Sequence, residues 1–381
     1  MKEILGAKPF FFHQEKYISN EIKKILVSGN LSQGKNINNF EKKASKMFNS
    51  KFSIAVNSGG TALEICLEAF DVKGKEVLIP TQTFIATANA VVRAGGKPIF
   101  CDIDPKTGCI DFNDVKKKIN KNTAGVIFVY MFGIIPTSAI KLKKLCKRKK
   151  IFLLEDASHA HGGAIDKYTV GNIGDAACFS FYATKILTCG EGGLITTSNS
   201  KLKKRCSTIM NHGKVPNGSL FVYSGNNFRL TEIQAIIALN QLKYLKKFNA
   251  HRNKIAKIYQ KHLKNDLFYT PFFFDKKSKN TFWRYPLYLS KKISRTALQK
   301  ICAKKHNFRI TWMYEPLCHQ QPVFKKNIKL HKAEDSIKRL INLPTHLNVD
   351  ASDAIRICKK LDLECRKLYE KYENNKSISY R

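Results

Sequence analysis

The chain has 381 residues, and its 67 Lys and Arg against 29 Asp and Glu leave a formal net charge of +38. Hydrophobic residues at 43% and aromatics at 11% exclude global disorder and suffice for a large core, in two domains or one domain with an appendage. No run of about 18 apolar residues is present to span a membrane, and Met1 to Phe12 lacks the apolar stretch and small-residue cleavage site of a signal peptide, so a cytoplasmic protein without membrane contact is expected.

Between about Lys51 and Thr197, short apolar runs alternate with helical patterns. SIAV (Ser53 to Val56) precedes a helical segment from Thr61 to Phe70, and EVLIP (Glu76 to Pro80) precedes Thr87 to Ala94. PIFCDI (Pro98 to Ile103), GVIFVY (Gly125 to Tyr130) and IFLLED (Ile151 to Asp156) follow, again separated by helical stretches. Nearly continuous apolar strands alternating with helices predict an α/β fold, a mostly parallel sheet covered on both faces. Beyond Thr197 come longer Lys-rich amphipathic helices, Thr231 to Lys247 and Ala250 to Leu263, with Ile233, Ile236, Ile237, Leu239 and Leu242 at helical spacing. YPLYLS (Tyr285 to Ser290) reads as a strand, and Thr296 to Lys305 and Asp350 to Lys371 read as helices. The expected division is a large domain over 1–247, including an N-terminal opening segment, and a smaller α+β domain over 248–381 that ends in a loose tail from Asn374 to Arg381.

The charge invites a nucleic-acid reading. Only 12 of the basic residues are Arg, however, whereas surfaces that grip phosphate or guanine draw on Arg forks. A Lys-decorated solvated surface is the better account, and no nucleic-acid partner is expected. The eleven Cys are scattered, with no C-x-x-C pair and no His at metal-ligand spacing. They are expected to be reduced and buried, Cys178 and Cys189 included, with neither disulfides nor a metal.

Ligands of open α/β sheets bind at the carboxyl ends of the strands. After SIAV, Asn57-Ser58-Gly59-Gly60-Thr61 opens a helix, where backbone N–H groups can approach a phosphate, although Gly-Gly also suits an ordinary turn. Asp156 ends a buried strand, and alone it would read as a helix cap. Lys185 stands 29 residues later in FSFYATKILTCGEGG (Phe179 to Gly193). An amine held among apolar and small residues is costly when charged, so its pKa should fall and free it to act as a nucleophile.

The strings NSGGTALEI, PTQTFIATANAVVRAGGKPIFCDID, EDASHAHGG, GDAACFSFYATK followed by GEGG, NHG and NNFRLTEIQA, in this order and spacing, resemble the DegT/DnrJ/EryC1/StrS family of pyridoxal-phosphate-dependent sugar aminotransferases. SGNLSQGKNINNFEKK near the start resembles that family too, and the likeness is close from Leu26 to Leu245 and looser beyond. It implies aminotransferase fold type I and a homodimer with active sites at the subunit interface. Pyridoxal 5′-phosphate would be the cofactor, cycling through pyridoxamine 5′-phosphate, with glutamate or glutamine as amino donor. By the same resemblance Lys185 matches the Schiff-base lysine and proton shuttle, and Asp156 the carboxylate that pairs with the pyridine nitrogen. His159 matches the position beside the ring and its phenolic oxygen, and Phe84 the aromatic on the ring face. Gly60, Thr61 and Ser180 match phosphate contacts, and Asn227 the residue that reaches the phosphate from the other subunit. Arg229 lies in the same motif, where a structural ion pair competes with ligand contact. Taken singly, Phe84 could be core, His159 a satisfied imidazole, Ser180 a strand residue and Asn227 a turn residue.

The family's substrate-side segment is matched by TWMYEPLCHQQPVF (Thr311 to Phe324), where Tyr314, His319, Gln321 and Pro322 fit but Met313 replaces an expected His. Tyr314 and His319 are therefore the candidate substrate contacts. The function implied is transfer of an amino group to a keto-sugar, nucleotide-linked, for surface glycans or secondary metabolites. Alternatives are amination of a keto-cyclitol, the family's dehydratase branch, against which Lys185 argues because that branch carries His there, or a non-enzymatic nucleic-acid-binding protein on this scaffold.

Overall fold

Five- to seven-residue apolar runs, too short for stable helices, become the strands of a seven-stranded sheet. The structure is a computed structural model that describes residues 3–216, 218–271, 273, 274, 276–324 and 327–378. Two helices come first, α1 (Glu15–Ser28) and α2 (Lys35–Met47). The α/β part then runs β1 (Phe52–Val56), α3 (Gly59–Ala69), β2 (Glu76–Pro80), α4 (Ala86–Arg93), β3 (Lys97–Cys101), α5 (Phe112–Lys118), β4 (Thr123–Val129), α6 (Ser138–Lys149) and β5 (Phe152–Asp156). A small hairpin, β6 (Ala164–Ile165) and β7 (Tyr168–Thr169), leads to β8 (Ala176–Ser180), β9 (Gly193–Thr197) and α7 (Ser200–Met210). Helices α8 (Glu232–Lys243) and α9 (Leu245–His262) follow. The C-terminal part holds β10 (Phe268–Tyr269), β11 (Ser278–Lys279), β12 (Tyr285–Leu289), α10 (Arg295–His306), α11 (His331–Arg339), β13 (Leu340–Leu343) and α12 (Ala351–Ile378).

The large sheet has the order β1-β9-β8-β5-β4-β2-β3, and only β9 runs against the other six strands. Both faces are covered. Along β2, Val77 and Ile79 enter the apolar cluster under α3, α4 and α7, whereas Leu78 enters the one shared with the helices of the other face. Neighbouring side chains of one strand thus point into separate cores, which is why these strands read as unbroken apolar runs. The smaller domain packs its helices on the antiparallel sheet β10-β12-β13. Strand β11 instead pairs with β6 of the hairpin that follows β5, tying the C-terminal part to the edge of the large domain.

Three expectations need adjustment. The predicted helix Thr231 to Lys247 is broken at Tyr244, whose ring stacks on Phe12 at 4.3 Å, so the proposed border at 247/248 lies inside α9. PIFCDI stops being a strand at Cys101. The tail expected from Asn374 is helical as far as Ile378, and its last three residues lie outside the described residues. Lys292 extends that helix past its apolar stripe by holding Tyr369 (3.1 Å) and Glu373 (2.5 Å).

The Glu of NNFRLTEIQA has a structural purpose. Glu232 is buried, and its carboxylate accepts from the backbone N–H groups of Gly34 (2.9 Å), Asn36 (2.9 Å) and Ile37 (3.0 Å). It therefore caps α2 from 195 to 198 residues away in sequence, at the end where the helix dipole favours an anion. Gly34 is required here because a Cβ would lie 2.8 Å from Glu232 Cδ. A Glu232→Ala variant leaves three buried donors unpaired and is expected to lose about 2–4 kcal/mol of stability, read as a lower urea midpoint.

Candidate active site

Because β1, β2, β5 and β8 are parallel, the loops that follow them emerge on one edge of the sheet. Ser58 caps α3, accepting from Thr61 N (3.1 Å), while Ser58 N–H donates to Thr61 Oγ1 (3.2 Å). Thr61 Oγ1 donates in turn to Asn57 Oδ1 (2.7 Å). Among the described residues, the N–H groups of Gly59 and Gly60 have no protein acceptor, and they open the helix toward that edge. Gly59 must lack a side chain, since a Cβ would stand 2.7 Å from Ser180 Cβ. This contact brings the helix start against the end of β8.

Asp156, at the end of β5, is buried. Its two oxygens accept from Thr87 Oγ1 (3.2 Å) and Ser158 N (3.2 Å). Lys185 lies in the loop between β8 and β9 and is half-buried, with Nζ 4.6 Å from the centroid of the Trp283 ring. Burial lowers its pKa to about 8; nearby Asp156 works against the shift and Arg284 adds to it. His159 is buried and stacks on the same Trp283 ring at 3.8 Å and 11°. Its Nε2 is 3.3 Å from the Tyr314 hydroxyl, and its Nδ1 is buried without a partner. Burial, with Lys185, His161 and Arg284 nearby, holds the His159 pKa well below the usual histidine range. Phe84 is 56% exposed, which removes the core reading for it, and its ring is 5.5 Å from that of Tyr314.

The structure thus brings Asp156, His159, Lys185, Phe84 and Tyr314 into one neighbourhood, with Gly60, Thr61 and Ser180 at the sheet edge. Two candidates stand apart. His319 is buried with both ring nitrogens engaged, Nδ1 by Thr81 Oγ1 (2.5 Å) and Nε2 by Glu334 (3.3 Å), which makes it a brace between segments rather than a surface for substrate. Arg229 forms no ion pair among the described residues; its guanidinium donates to Asn211 Oδ1 (2.7 Å). Asn227 is exposed, with its carbonyl accepting from Asn57 Nδ2 (3.4 Å) next to the start of α3. All eleven Cys are free and buried, and burial pushes Cys189 up to about 12, which leaves it unreactive near neutral pH.

The sequence reading missed Thr87, Trp283 and Arg284. Trp283 fixes the wall under Lys185 by donating Nε1–H to the Thr184 carbonyl (2.6 Å). One of only two Trp in the chain, next to an Arg at the head of a strand, was the available signal.

Comparison with known proteins supplies the relatives. A sequence profile described as the DegT/DnrJ/EryC1/StrS aminotransferase family matches residues 13–362. GDP-perosamine synthase of Escherichia coli O157:H7 is 30% identical over 369 residues, covering 95% of this chain and 98% of its own. Spore coat polysaccharide biosynthesis protein SpsC of Bacillus subtilis is 31% identical, with 87% and 90% covered. Among solved structures, Helicobacter pylori PseC, an aminotransferase involved in the biosynthesis of pseudoaminic acid, superposes with a TM-score of 0.87 at 27% identity, covering 97% of this chain and 100% of that one.

Proposed function

The chain belongs to the DegT/DnrJ/EryC1/StrS aminotransferase family, and from that premise we propose that it transfers the amino group of glutamate or glutamine to the ketone of a nucleotide-linked sugar, using pyridoxal 5′-phosphate, in amino-sugar biosynthesis. The observation that carries the reading is the Lys185 amine placed over the Trp283 ring on which His159 also stacks, within the field of the buried Asp156 carboxylate.

The residues present fit the cofactor. The unpaired N–H groups of Gly59 and Gly60, with Ser180, would take its phosphate, and the unpartnered Nδ1 of His159 offers a hydrogen bond to a ring substituent. Asp156 would face the pyridine nitrogen and keep it protonated, and the exposed Phe84 would lie on the ring face. In a homodimer, Asn227 would reach the phosphate of the partner's site. When bound, the cofactor supplies an electron sink for charge developing on the substrate carbon.

Lys185 then has two tasks, holding the cofactor between turnovers and, once released, moving a proton at its Nζ. Its loop is anchored for this by the Trp283 contact. Tyr314, hydrogen-bonded to His159 and close to Phe84, would be the contact for an acceptor sugar. Relatives named as a GDP-perosamine synthase and as a coat-polysaccharide biosynthesis protein support a sugar acceptor for glycan assembly. The +38 charge favours encounter with a phosphate-bearing cofactor and a diphosphate-linked sugar at low salt. Buried free thiols and the absence, among the described residues, of any helix long and apolar enough to cross a membrane accord with the cytoplasmic location proposed here.

Purified holoenzyme incubated with glutamate and a panel of nucleotide keto-sugars should yield an amino sugar one amine heavier than its ketone equivalent, read by mass spectrometry. Amination of a keto-cyclitol alone would reassign the acceptor, and no aminated product from any donor would end the reading.

A further inference from the structure

One charged group beside Lys185 and Trp283 has no assigned purpose. Arg284 precedes β12 and is 4% exposed. Its guanidinium lies 5.0 Å from the centroid of the Trp283 ring, the same ring that carries Lys185 Nζ at 4.6 Å. Among the described residues no carboxylate pairs with it and its side chain makes no hydrogen bond; Nε is sealed from solvent without an acceptor. Burial lowers its pKa only to about 10, so it remains charged near neutral pH.

The other deeply buried arginine is different. Arg252 donates to Thr345 Oγ1 (2.9 Å) and to the Trp283 carbonyl (3.2 Å), a structural use. Beside Arg284, Thr311 Oγ1 is also buried without a partner. A Cβ on Gly6 would lie 3.1 Å from Thr311 Cγ2 and 3.5 Å from Arg284 Nη1, so the N-terminal segment and the Thr311 segment meet at this guanidinium. A desolvated, unpaired guanidinium is unfavourable, and a carboxylate held by its planar fork relieves it.

The charge balance selects the ligand. One guanidinium suits one monoanion, whereas a diphosphate bears at least two charges and a sugar ring none. The one carboxylate that glutamate and glutamine have in common is the α-carboxylate. We propose that Arg284 is the donor-binding residue of the site, taking the α-carboxylate of the amino-acid donor on the same Trp283 ring that supports Lys185 and so presenting the donor amine to the reacting centre. The proposal rests on the aminotransferase reading.

The test compares wild-type, Arg284→Gln and Arg284→Lys holoenzymes. Each is titrated with L-glutamate and with L-glutamine, following conversion of the pyridoxal to the pyridoxamine form by absorbance. Glutarate, a dicarboxylate without an amine, is titrated in parallel by calorimetry. In Arg284→Gln the concentration for half-conversion is expected to rise at least about 100-fold for both donors, with a matching loss of glutarate affinity. Arg284→Lys should fall between, and the absorption band of the bound cofactor should persist in both variants as the sign of a folded site. Unchanged half-conversion in a variant that keeps this band overturns the subsite, and a loss confined to glutamate overturns the α-carboxylate assignment. If no amino acid converts the wild type, the aminotransferase reading fails and takes the donor assignment with it; where the wild type is converted, glutarate affinity unchanged in Arg284→Gln defeats the subsite alone.

Discussion

Lys185→Ala is expected to lower transamination by more than about 10⁴-fold, because one substitution removes both the nucleophile and the group that moves the proton. The variant should still fold. Lys185 is half-buried and makes no close ion pair among the described residues, and Asp156, whose charge faces it, keeps its hydrogen bonds from Thr87 Oγ1 and Ser158 N. Activity within tenfold of wild type would sink the mechanism. The lowered pKa adds a second readout. In the wild-type apoprotein, the rate at which pyridoxal phosphate is captured should rise about tenfold per pH unit on the acid side and level off above about 8, as the free-amine fraction saturates. A solvated lysine, ordinarily near 10.5, would go on rising through this range.

Asp156→Asn carries the next largest expected effect. Both carboxylate oxygens of Asp156 accept hydrogen bonds, from Thr87 Oγ1 and Ser158 N. An Asn side chain can keep the second bond with its oxygen and donate its amide to the Thr87 hydroxyl, which accepts as well as donates. The local structure should therefore survive, and only the charge is lost. The conversion driven by amino donors is expected to fall roughly 100- to 1,000-fold, the range for removing one preorganised electrostatic partner. The same substitution withdraws the charge that holds the Lys185 pKa up, so the midpoint for cofactor capture should move below that of wild type. A variant with full activity, or with its midpoint moved upward, would contradict the placement of Asp156 opposite Lys185.

Much of this site was legible because each strand of a parallel sheet ends at the same edge. Once the runs SIAV, EVLIP and IFLLED are read as strands, the residues after them must be neighbours, whatever their separation in sequence. Lys185 was visible for a related reason, as a charged residue in a stretch otherwise apolar or small. Position along the chain could not reveal what a side chain finds on arrival. His319 fits its motif by spacing, yet Thr81 and Glu334 occupy both of its nitrogens. Glu232 belongs to the same recognisable string as Asn227, yet it caps a helix and faces no ligand.

The sequence by itself determined the alternation of strand and helix, the family resemblance and the identity of the lysine and aspartate, since these depend on local pattern and on residue chemistry. Tertiary structure alone decided that Trp283 lies under Lys185, that His159 stacks on it with one nitrogen unpartnered, and that Arg284 stands beside them without a counter-ion among the described residues. Trp283 and Arg284 come from just before β12, about 100 positions after Lys185. The antiparallel pairing of β12 with β13 and the hydrogen bond from Trp283 to Thr184 bring them there. Burial and partnering are properties of what surrounds a side chain, and those surroundings exist only after the smaller domain has packed against the larger.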